Sequence, residues 1–359
     1  MSLNISKKIN MAATGLLLLG LLLPVKSQAS DLSPLPVSSP WTILSTLPLP
    51  GGTTRFDYQS VDSRSGRLYL AHLGDSRLVV VDTKNGRVIS DLPDFPHVHG
   101  VLAVPSLGRI FATVSSLSRT KPGELAVVDM RTLKTLSLIP VGIHPDGLAF
   151  EPATGRIFVS NEWGKTVSVV DSRSNRNIAT IPLGGEVGNT QVDRKSHRIF
   201  SAVQTRNLLV RIDPYALHVD RKYRLPCRHP HGLALDEKRP IAYIACEGDD
   251  RLLALDLRAK KILADLPVGH TPDVLALDRT RNILFVASES GNVSVYKRVG
   301  ATLSLLSTTF LGKGAHTIAL DPRTHHVFLP LEDKEGQPAL EILRFTEVSP
   351  RPNLPGRTP

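Results

Sequence analysis

The chain has 359 residues and a formal net charge of +10, and aromatic residues make up 5% of it. Its basic residues are spread through the sequence, which favours a dispersed basic surface, and so few aromatics argue against rows of base-stacking side chains. Charge alone therefore leaves nucleic-acid binding as a weakly supported alternative.

The first 30 residues have the pattern of a secretory signal peptide. Lys7 and Lys8 precede the apolar run Met11 to Leu23, and a small-x-small triplet ending at Ala29 follows. The apolar run is 13 residues long, whereas a membrane-spanning helix needs roughly 20. We therefore predict cleavage, export to the periplasm or medium, and no membrane span. Residues 31–40 are rich in Pro and Ser and are predicted to be a linker.

A degenerate unit, seen most clearly as His144-Pro145-Asp146-Gly147 followed by an apolar run, recurs along the chain at intervals of 42 to 47 residues. A period in this range is typical of propeller blades or a similar repeat architecture. The seven positions equivalent to Gly147, with Gly147 included, are Tyr58, Gly100, Gly147, Asn189, Gly232, Val274 and Thr317.

Each repeat contains four strand-length apolar segments separated by turn residues, and no stretch has sustained helical periodicity. The seventh repeat lacks a fourth segment, because residues 346–359 form a Pro-rich tail that we predict to be disordered. The segment 41–47 resembles the end of the other repeats and is predicted to complete the last blade. The fold class is therefore all-β: a seven-bladed propeller of four-stranded antiparallel blades over residues 41–345, expected to be a monomer.

The order Leu-Ala-Leu-Asp, Arg-Ile-Phe-Val-Ser-Asn, Val-Ser-Val-Val-Asp and Ile-Pro-Leu-Gly resembles the YVTN-repeat (YncE-like) seven-bladed β-propeller family. The resemblance implies the fold, and it implies function only broadly, since such propellers serve as binding platforms and surface proteins and also occur in redox enzymes. Two repeats depart from the pattern: the second has a longer loop, 115–124, and the fourth begins with Glu186-Val-Gly-Asn189.

Equivalent loop positions should form rings at one mouth of the channel, where function in such scaffolds is usually found. The position before the Gly147 column supplies three acids and three imidazoles; Glu residues follow several second strands. The predicted binding residues are Asp57, His99, Asp146, His231, Asp273, His316, Glu162, Glu247, Glu289 and Glu332.

Imidazole and carboxylate are ordinary ligands of divalent transition metals, so one such ion is a candidate cofactor. The candidate metal ligands are His97, His99, His144, His229, His231 and His316. Two alternatives stay open: these residues shape turns and donate to backbone carbonyls, or the mouth binds an anionic or polar organic ligand.

Cys227 precedes the first strand of the fifth repeat and Cys246 ends its second strand, so both lie on the mouth side. A disulfide between them suits an exported chain; free thiols and a thiolate metal site are the alternatives.

Nucleophile-elbow, phosphate-loop, zincin, haem-attachment and dinucleotide motifs are all missing from the sequence. The leading hypothesis is a non-catalytic binding platform for an unknown protein or small polar ligand. The alternatives are a metal-dependent, lactonase-like hydrolase and a copper- or iron-handling protein that uses the same His/Asp ring.

Overall fold

The computed structural model of the chain describes residues 39–300 and 302–347, and it forms seven four-stranded antiparallel sheets. The predicted signal peptide, most of the predicted linker and most of the Pro-rich tail lie outside the described residues. The predicted all-β propeller of seven blades is confirmed.

The strands are numbered β1–β28 in chain order, and each blade runs from an innermost strand at the channel to an outermost strand at the rim. The innermost strands are β2 (Gln59–Asp62), β6 (Val101–Val104), β10 (Pro145–Glu151), β14 (Val187–Asp193), β18 (Pro230–Asp236), β22 (Pro272–Asp278) and β26 (Ala319–Leu320). The second strands are β3 (Arg67–His72), β7 (Arg109–Val114), β11 (Arg156–Asn161), β15 (Arg198–Val203), β19 (Ile241–Cys246), β23 (Ile283–Ser288) and β27 (His326–Lys334).

The third strands are β4 (Arg77–Asp82), β8 (Pro122–Asp129), β12 (Thr166–Asp171), β16 (Leu208–Asp213), β20 (Arg251–Asp256), β24 (Asn292–Val299) and β28 (Gln337–Phe345). The outermost strands are β5 (Arg87–Leu92), β9 (Thr135–Ile143), β13 (Arg176–Pro182), β17 (His218–Arg224), β21 (Lys261–Pro267), β25 (Thr302–Phe310) and β1 (Trp41–Pro48). Three 3-10 turns lie at Leu73–Asp75, Pro105–Leu107 and Gln204–Arg206.

The ring is closed by β1, as the sequence predicts. β1 pairs antiparallel with β28, from Trp41 opposite Phe345 to Pro48 opposite Ala339, so the last blade combines both ends of the propeller. The innermost strands β2 and β26 also contact each other across this junction. Pairing within the last blade gives β28 the neighbour it would otherwise lack and ties the two ends of the propeller together.

The core consists of layers between neighbouring blades. Second and third strands are buried along most of their length, for example Arg156–Asn161 and Thr166–Asp171. These strands read as nearly continuous apolar runs because both faces of each sheet are covered by the adjacent blades. Outermost strands such as Lys261–Pro267 are mostly partly or fully exposed.

Aspartates at the ends of the third strands cap the following turns. Asp171 Oδ1, for example, accepts hydrogen bonds from the backbone N–H groups of Arg173 and Ser174. The equivalent residues Asp82, Asp129, Asp213 and Asp256 do the same. These carboxylates fix turn geometry and are not available for chemistry.

Side chains on the face opposite the mouth join successive blades. Arg67 donates from Nη1 to the carbonyl of Met130 at 2.7 Å, and Arg281 donates in the same way to Phe345 at 3.0 Å. In the fourth blade the Tyr223 hydroxyl makes the equivalent link to Leu257, at 3.1 Å. These contacts hold the ring that positions the mouth. Among the described residues no helix is long and apolar enough to cross a membrane.

Candidate functional site

The loops before four of the innermost strands share one local backbone geometry. His97, His144, His229 and Thr271 all have positive φ, between 42° and 53°. In β10, the pairing with β11 shifts register between Pro145 and Leu148, and four of the inner strands share this irregularity. A bulge of this kind redirects one side chain. Here it brings the residue before the Gly147 column to the channel mouth.

In the fourth blade that position is Gly188, and a larger residue would not fit. A Cβ atom built there would lie 2.9 Å from the Cα of His231 and 3.2 Å from its Nδ1. The other six positions of this column carry polar residues, and these residues lie close together in the channel mouth. Five of these six residues, together with Arg55 and several glutamates, line a cavity of about 210 Å³.

Asp57, His99 and Asp146 form the first cluster in the mouth. His99 Nδ1 donates to Asp57 Oδ2 at 2.8 Å and lies 3.9 Å from Asp146 Oδ1. Both carboxyl groups are about 5% exposed, so water screens their repulsion poorly. Three potential ligand atoms of this cluster lie within 4.8 Å of one another.

His231, Glu247 and Asp273 form the second cluster. His231 Nδ1 lies 3.4 Å from Glu247 Oε1, and His231 Nε2 lies 3.4 Å from Asp273 Oδ1. Asp273 is only 4% exposed, and its buried Oδ1 accepts no hydrogen bond from the described residues. An unsatisfied buried carboxylate oxygen facing a polar cavity is the kind of atom that a cation satisfies.

The third cluster, Asp273, Glu289 and His316, shares Asp273 with the second. His316 is fully buried; its Nδ1 donates to Asp273 Oδ2 at 2.8 Å and its Nε2 to the Phe56 carbonyl at 2.9 Å. Both ring nitrogens are therefore engaged. His316 orients Asp273 and is not free to bind a ligand directly.

Arg55 and Tyr58 connect the clusters, and neither was among the residues predicted for the site. Arg55 Nη1 lies 2.7 Å from Glu289 Oε1, and its Nη2 lies 3.7 Å from Asp273 Oδ2. The Tyr58 hydroxyl donates to Asp146 Oδ2 at 3.4 Å and lies 3.2 Å from His231 Nε2. Tyr58 occupies the Gly147 column itself, where most repeats carry a small residue. That departure is the sequence signal that could have identified it.

Glu162, His144 and Trp163 form one side of the mouth. His144 Nε2 lies 3.3 Å from Glu162 Oε2, and the His144 ring stacks on Trp163 with centroids 3.7 Å apart. The Arg119 guanidinium, from the longer loop of the second repeat, covers the other face of Trp163 at 4.3 Å. Gln204 contributes from the fourth blade, with Nε2 3.0 Å from His231 Nδ1 and 3.3 Å from Glu162 Oε1.

Because the acidic groups in the mouth lie close together, their pKa values differ from the ordinary ones. Burial, reinforced by the charge of Asp57, raises the pKa of Asp146 to about 7. Burial, partly offset by His231, also raises the pKa of Glu247 to about 7. Burial disfavours the charged ring of His231, yet the surrounding carboxylates outweigh it and raise its pKa to about 10.

Two other residues of the mouth, Asp273 and His144, have lowered pKa values. Burial would raise the pKa of Asp273, but the hydrogen bond from His316 and the neighbouring positive groups lower it to about 2. Burial and the nearby His99 lower the pKa of His144 to about 4, so its ring is neutral at pH 7. The mouth thus holds carboxyl groups that differ widely in proton affinity within a few ångströms.

Three of the residues predicted for the site lie elsewhere. His97 is half-buried beside the loop of the second repeat, and its backbone N–H binds Ser76. His229 is exposed, and its backbone contacts Asn207 and Glu247. Glu332 lies against Gly314 rather than around the cavity. Their positions in the repeat are equivalent to those of mouth residues, but none of the three lines the cavity.

A disulfide joins Cys227 and Cys246, with their Cα atoms 6.2 Å apart, and no free cysteine is present among the described residues. It ties the loop before β18 to the end of β19, next to His231 and Glu247. Both sulfur atoms are engaged in this bond, so the thiolate metal site considered from the sequence does not form in this structure.

No protein-family model and no curated relative matches the sequence. Solved structures do match in fold. A chain titled Kuenenia stuttgartiensis hydrazine synthase has a TM-score of 0.66 at 14% identity, covering 78% of this chain and 92% of its own. A chain of the mitotic checkpoint complex has a TM-score of 0.72 at 13% identity, covering 92% and 100%. These likenesses support the seven-bladed propeller alone, and the YVTN-repeat family stays a prediction.

Proposed function

We propose that the protein is an exported, non-catalytic binding platform that holds a small, positively charged ligand at the channel mouth. One observation carries the proposal: the cavity of about 210 Å³ is lined by six carboxylic residues and by Arg55 as its single permanently charged cation. Cavities for drug-sized ligands are larger, about 300–1,000 Å³. The mouth therefore suits a metal ion with its waters or a small organic cation.

The charge balance favours a cation even when histidines are protonated. The six acids are Asp57, Asp146, Glu162, Glu247, Asp273 and Glu289, of which Asp146 and Glu247, with pKa values of about 7, are about half ionised at pH 7. Against them stand Arg55 and at most three imidazolium groups, from His99, His231 and His316, because His144 is neutral at pH 7. The mismatch is costly where the side chains are buried, and a bound cation relieves it.

A divalent transition metal is the simplest ligand of this class. Imidazole and carboxylate form the donor set that such metals prefer, and two clusters place one imidazole between two carboxyl groups. Asp57, His99 and Asp146 would hold the ion on one side, or His231, Glu247 and Asp273 on the other. When bound, the ion would supply Lewis acidity and fixed positive charge.

The test is metal analysis of protein purified without chelator, followed by calorimetric titration of metal-depleted protein with zinc chloride and, separately, with a short alkyl diamine. We expect one site, lost in a His99→Ala/His231→Ala double variant. His270→Ala is the matched control, because His270 is exposed and pairs with Asp250 outside the cavity. A folded wild-type protein that binds neither probe would contradict the proposal.

Export is the second part of the proposal. The N-terminal pattern supports it, as does the disulfide, because such bonds persist in oxidising compartments. Mass spectrometry of the protein from a native cell fraction should find an N-terminus near residue 30. An intact N-terminus on cytosolic protein would contradict this part and leave the ligand proposal standing. One matched chain comes from a complex, which is compatible with a platform role for the fold.

A metal-dependent hydrolase is a second candidate, favoured by Asp146 and Glu247. Their pKa values of about 7 match those of groups that exchange protons near neutral pH. Metal-loaded protein should then open simple lactones, and Asp146→Asn should slow the reaction by about 100-fold or more. If the variant and the wild type opened lactones at equal rates, or if neither exceeded the rate in buffer, the hydrolase would be excluded and the binding platform would stand.

A further inference from the structure

Below the mouth, the channel widens into a second chamber of about 670 Å³, lined by innermost strands and by the turns on the opposite face. Tyr58 and Asn189 line its inner end. Because the Tyr58 hydroxyl is held by Asp146 and His231, Tyr58 also belongs to the mouth. The two spaces therefore meet at Tyr58, and the larger one extends toward the opposite face.

The walls of this lower chamber are mixed, with polar side chains beside an apolar strip on the innermost strands. Leu102, Leu148, Phe150 and Val192 lie on innermost strands and are only partly buried, since their side chains border the channel. Apolar side chains in a concave space gain free energy when a ligand removes them from water, by about 25 cal/mol per Å² of area covered. The volume lies within the range of small-molecule sites.

The rim of the lower chamber is positively charged. Arg194 Nε and Arg279 Nη2 converge on Glu237 Oε1, at 3.9 and 3.7 Å. Arg279 is also held by its hydrogen bond to the Leu235 carbonyl, at 3.0 Å. Two guanidinium groups thus share one carboxylate. The Arg194 side chain is 76% exposed and free to turn toward a ligand.

We infer that the lower chamber binds a small organic anion with an apolar body, such as an alkyl or aryl carboxylate. The apolar part would lie along Leu148 and Phe150, and the carboxylate would remain at the rim with Arg194 and Arg279. An anion fits this chamber because its lining carries two arginines against one glutamate, whereas the lining of the mouth is acidic. The inference does not rest on the proposed function.

The experiment uses the full chain and two probes: anilinonaphthalene sulfonate, whose fluorescence rises in apolar sites, and decanoate as its competitor. We expect one site from which decanoate displaces the dye. Arg194→Gln should weaken binding roughly three- to fivefold, in line with a partly exposed charge pair, and adding Arg279→Gln should weaken it further. Glu237→Gln should tighten binding, because it removes the carboxylate that competes with the ligand.

The matched controls are Arg206→Gln and Glu335→Gln. Arg206 lies on the mouth side, where it donates to the Gly184 carbonyl, and Glu335 is exposed between β27 and β28. Both variants should bind the dye and decanoate as the wild type does. No dye binding, binding that decanoate does not displace, or rim variants with unchanged affinity would overturn the inference. Because Arg194 is exposed, Arg194→Gln should not unfold the protein, so weaker binding by this variant would not be due to loss of folding.

Discussion

His316 and Asp273 form a fully buried hydrogen bond of 2.8 Å that joins the seventh blade to the sixth. The second ring nitrogen of His316 donates to the carbonyl of Phe56, in the first blade. A ring with a carboxylate on one side and a carbonyl on the other must donate from both nitrogens, which only the protonated form does. This side chain therefore links three blades as an imidazolium ion.

Breaking this pair should destabilise the ring. We expect Asp273→Asn to lower the free energy of unfolding by about 3–5 kcal/mol, because it leaves a buried cation without its partner. Asp278→Asn is the control: Asp278 bonds His325 at 2.7 Å on the other face, but that ring is 34% exposed. Urea denaturation of chelator-treated protein at pH 6 provides the comparison, and equal losses would contradict the argument.

The same pair predicts a stability maximum in pH. The pKa of Asp273 is lowered to about 2, so its contribution is complete above pH 3.8 and is lost as the pH falls toward 2. The pKa of His316 is raised by Asp273 against the effect of burial, so its contribution is complete below pH 6.5 and is lost as the pH rises through the folded value. The difference in unfolding free energy between wild type and Asp273→Asn should therefore be largest between about pH 4 and 6.5.

Ionisation of Asp146 should affect the stability of the fold in the opposite direction. Its pKa is raised from 3.8 to about 7, so the folded protein favours the neutral carboxyl and loses stability as the pH rises from 3.8 through 7. Asp146→Asn should stabilise the metal-free protein, on the order of 1–2 kcal/mol at pH 8, with little effect near pH 4. Thermal unfolding at the two pH values measures this. A variant that loses stability at pH 8 would show that the Asp146 charge is compensated.

Closure of the ring can be tested at Trp41. Trp41 is 7% exposed, with its ring centroid 5.1 Å from that of Phe345 and 5.7 Å from that of Phe285. Trp41→Ala should cost about 3–5 kcal/mol, whereas Ile43→Ala, in the same strand but 54% exposed, should change stability by less than about 0.5 kcal/mol. Denaturant midpoints at fixed pH are sufficient, and similar values for both variants would argue against closure by β1.

The disulfide offers another measurable contribution. Replacing both Cys227 and Cys246 with Ala should lower the free energy of unfolding by about 2–4 kcal/mol, since the loop they close becomes free in the unfolded chain. Because the bond adjoins His231 and Glu247, zinc affinity should be measured in the same variant. An unchanged midpoint on reduction of the wild type would show that the bond contributes no stability.

The architecture of the propeller could be predicted from the amino-acid sequence alone. The period of 42 to 47 residues, the four apolar segments per repeat and the missing last segment predicted seven blades closed by residues 41–47. In the third repeat the predicted segments are 147–151, 156–161, 166–171 and 177–182, and each lies within two residues of the observed strand bounds. This succeeds because strand formation and turn chemistry are local, and because repetition states the same pattern seven times.

The membership of the mouth was decided by tertiary structure. Repeat position correctly brought Asp57, His99, Asp146, His231 and Asp273 together, but it gave His229 and Glu332 equal standing although neither lines the cavity. It also overlooked Tyr58, which reaches its partners only across the channel. Residues 88 and 173 positions apart contact one another through ring closure, and no local pattern encodes a contact of that kind.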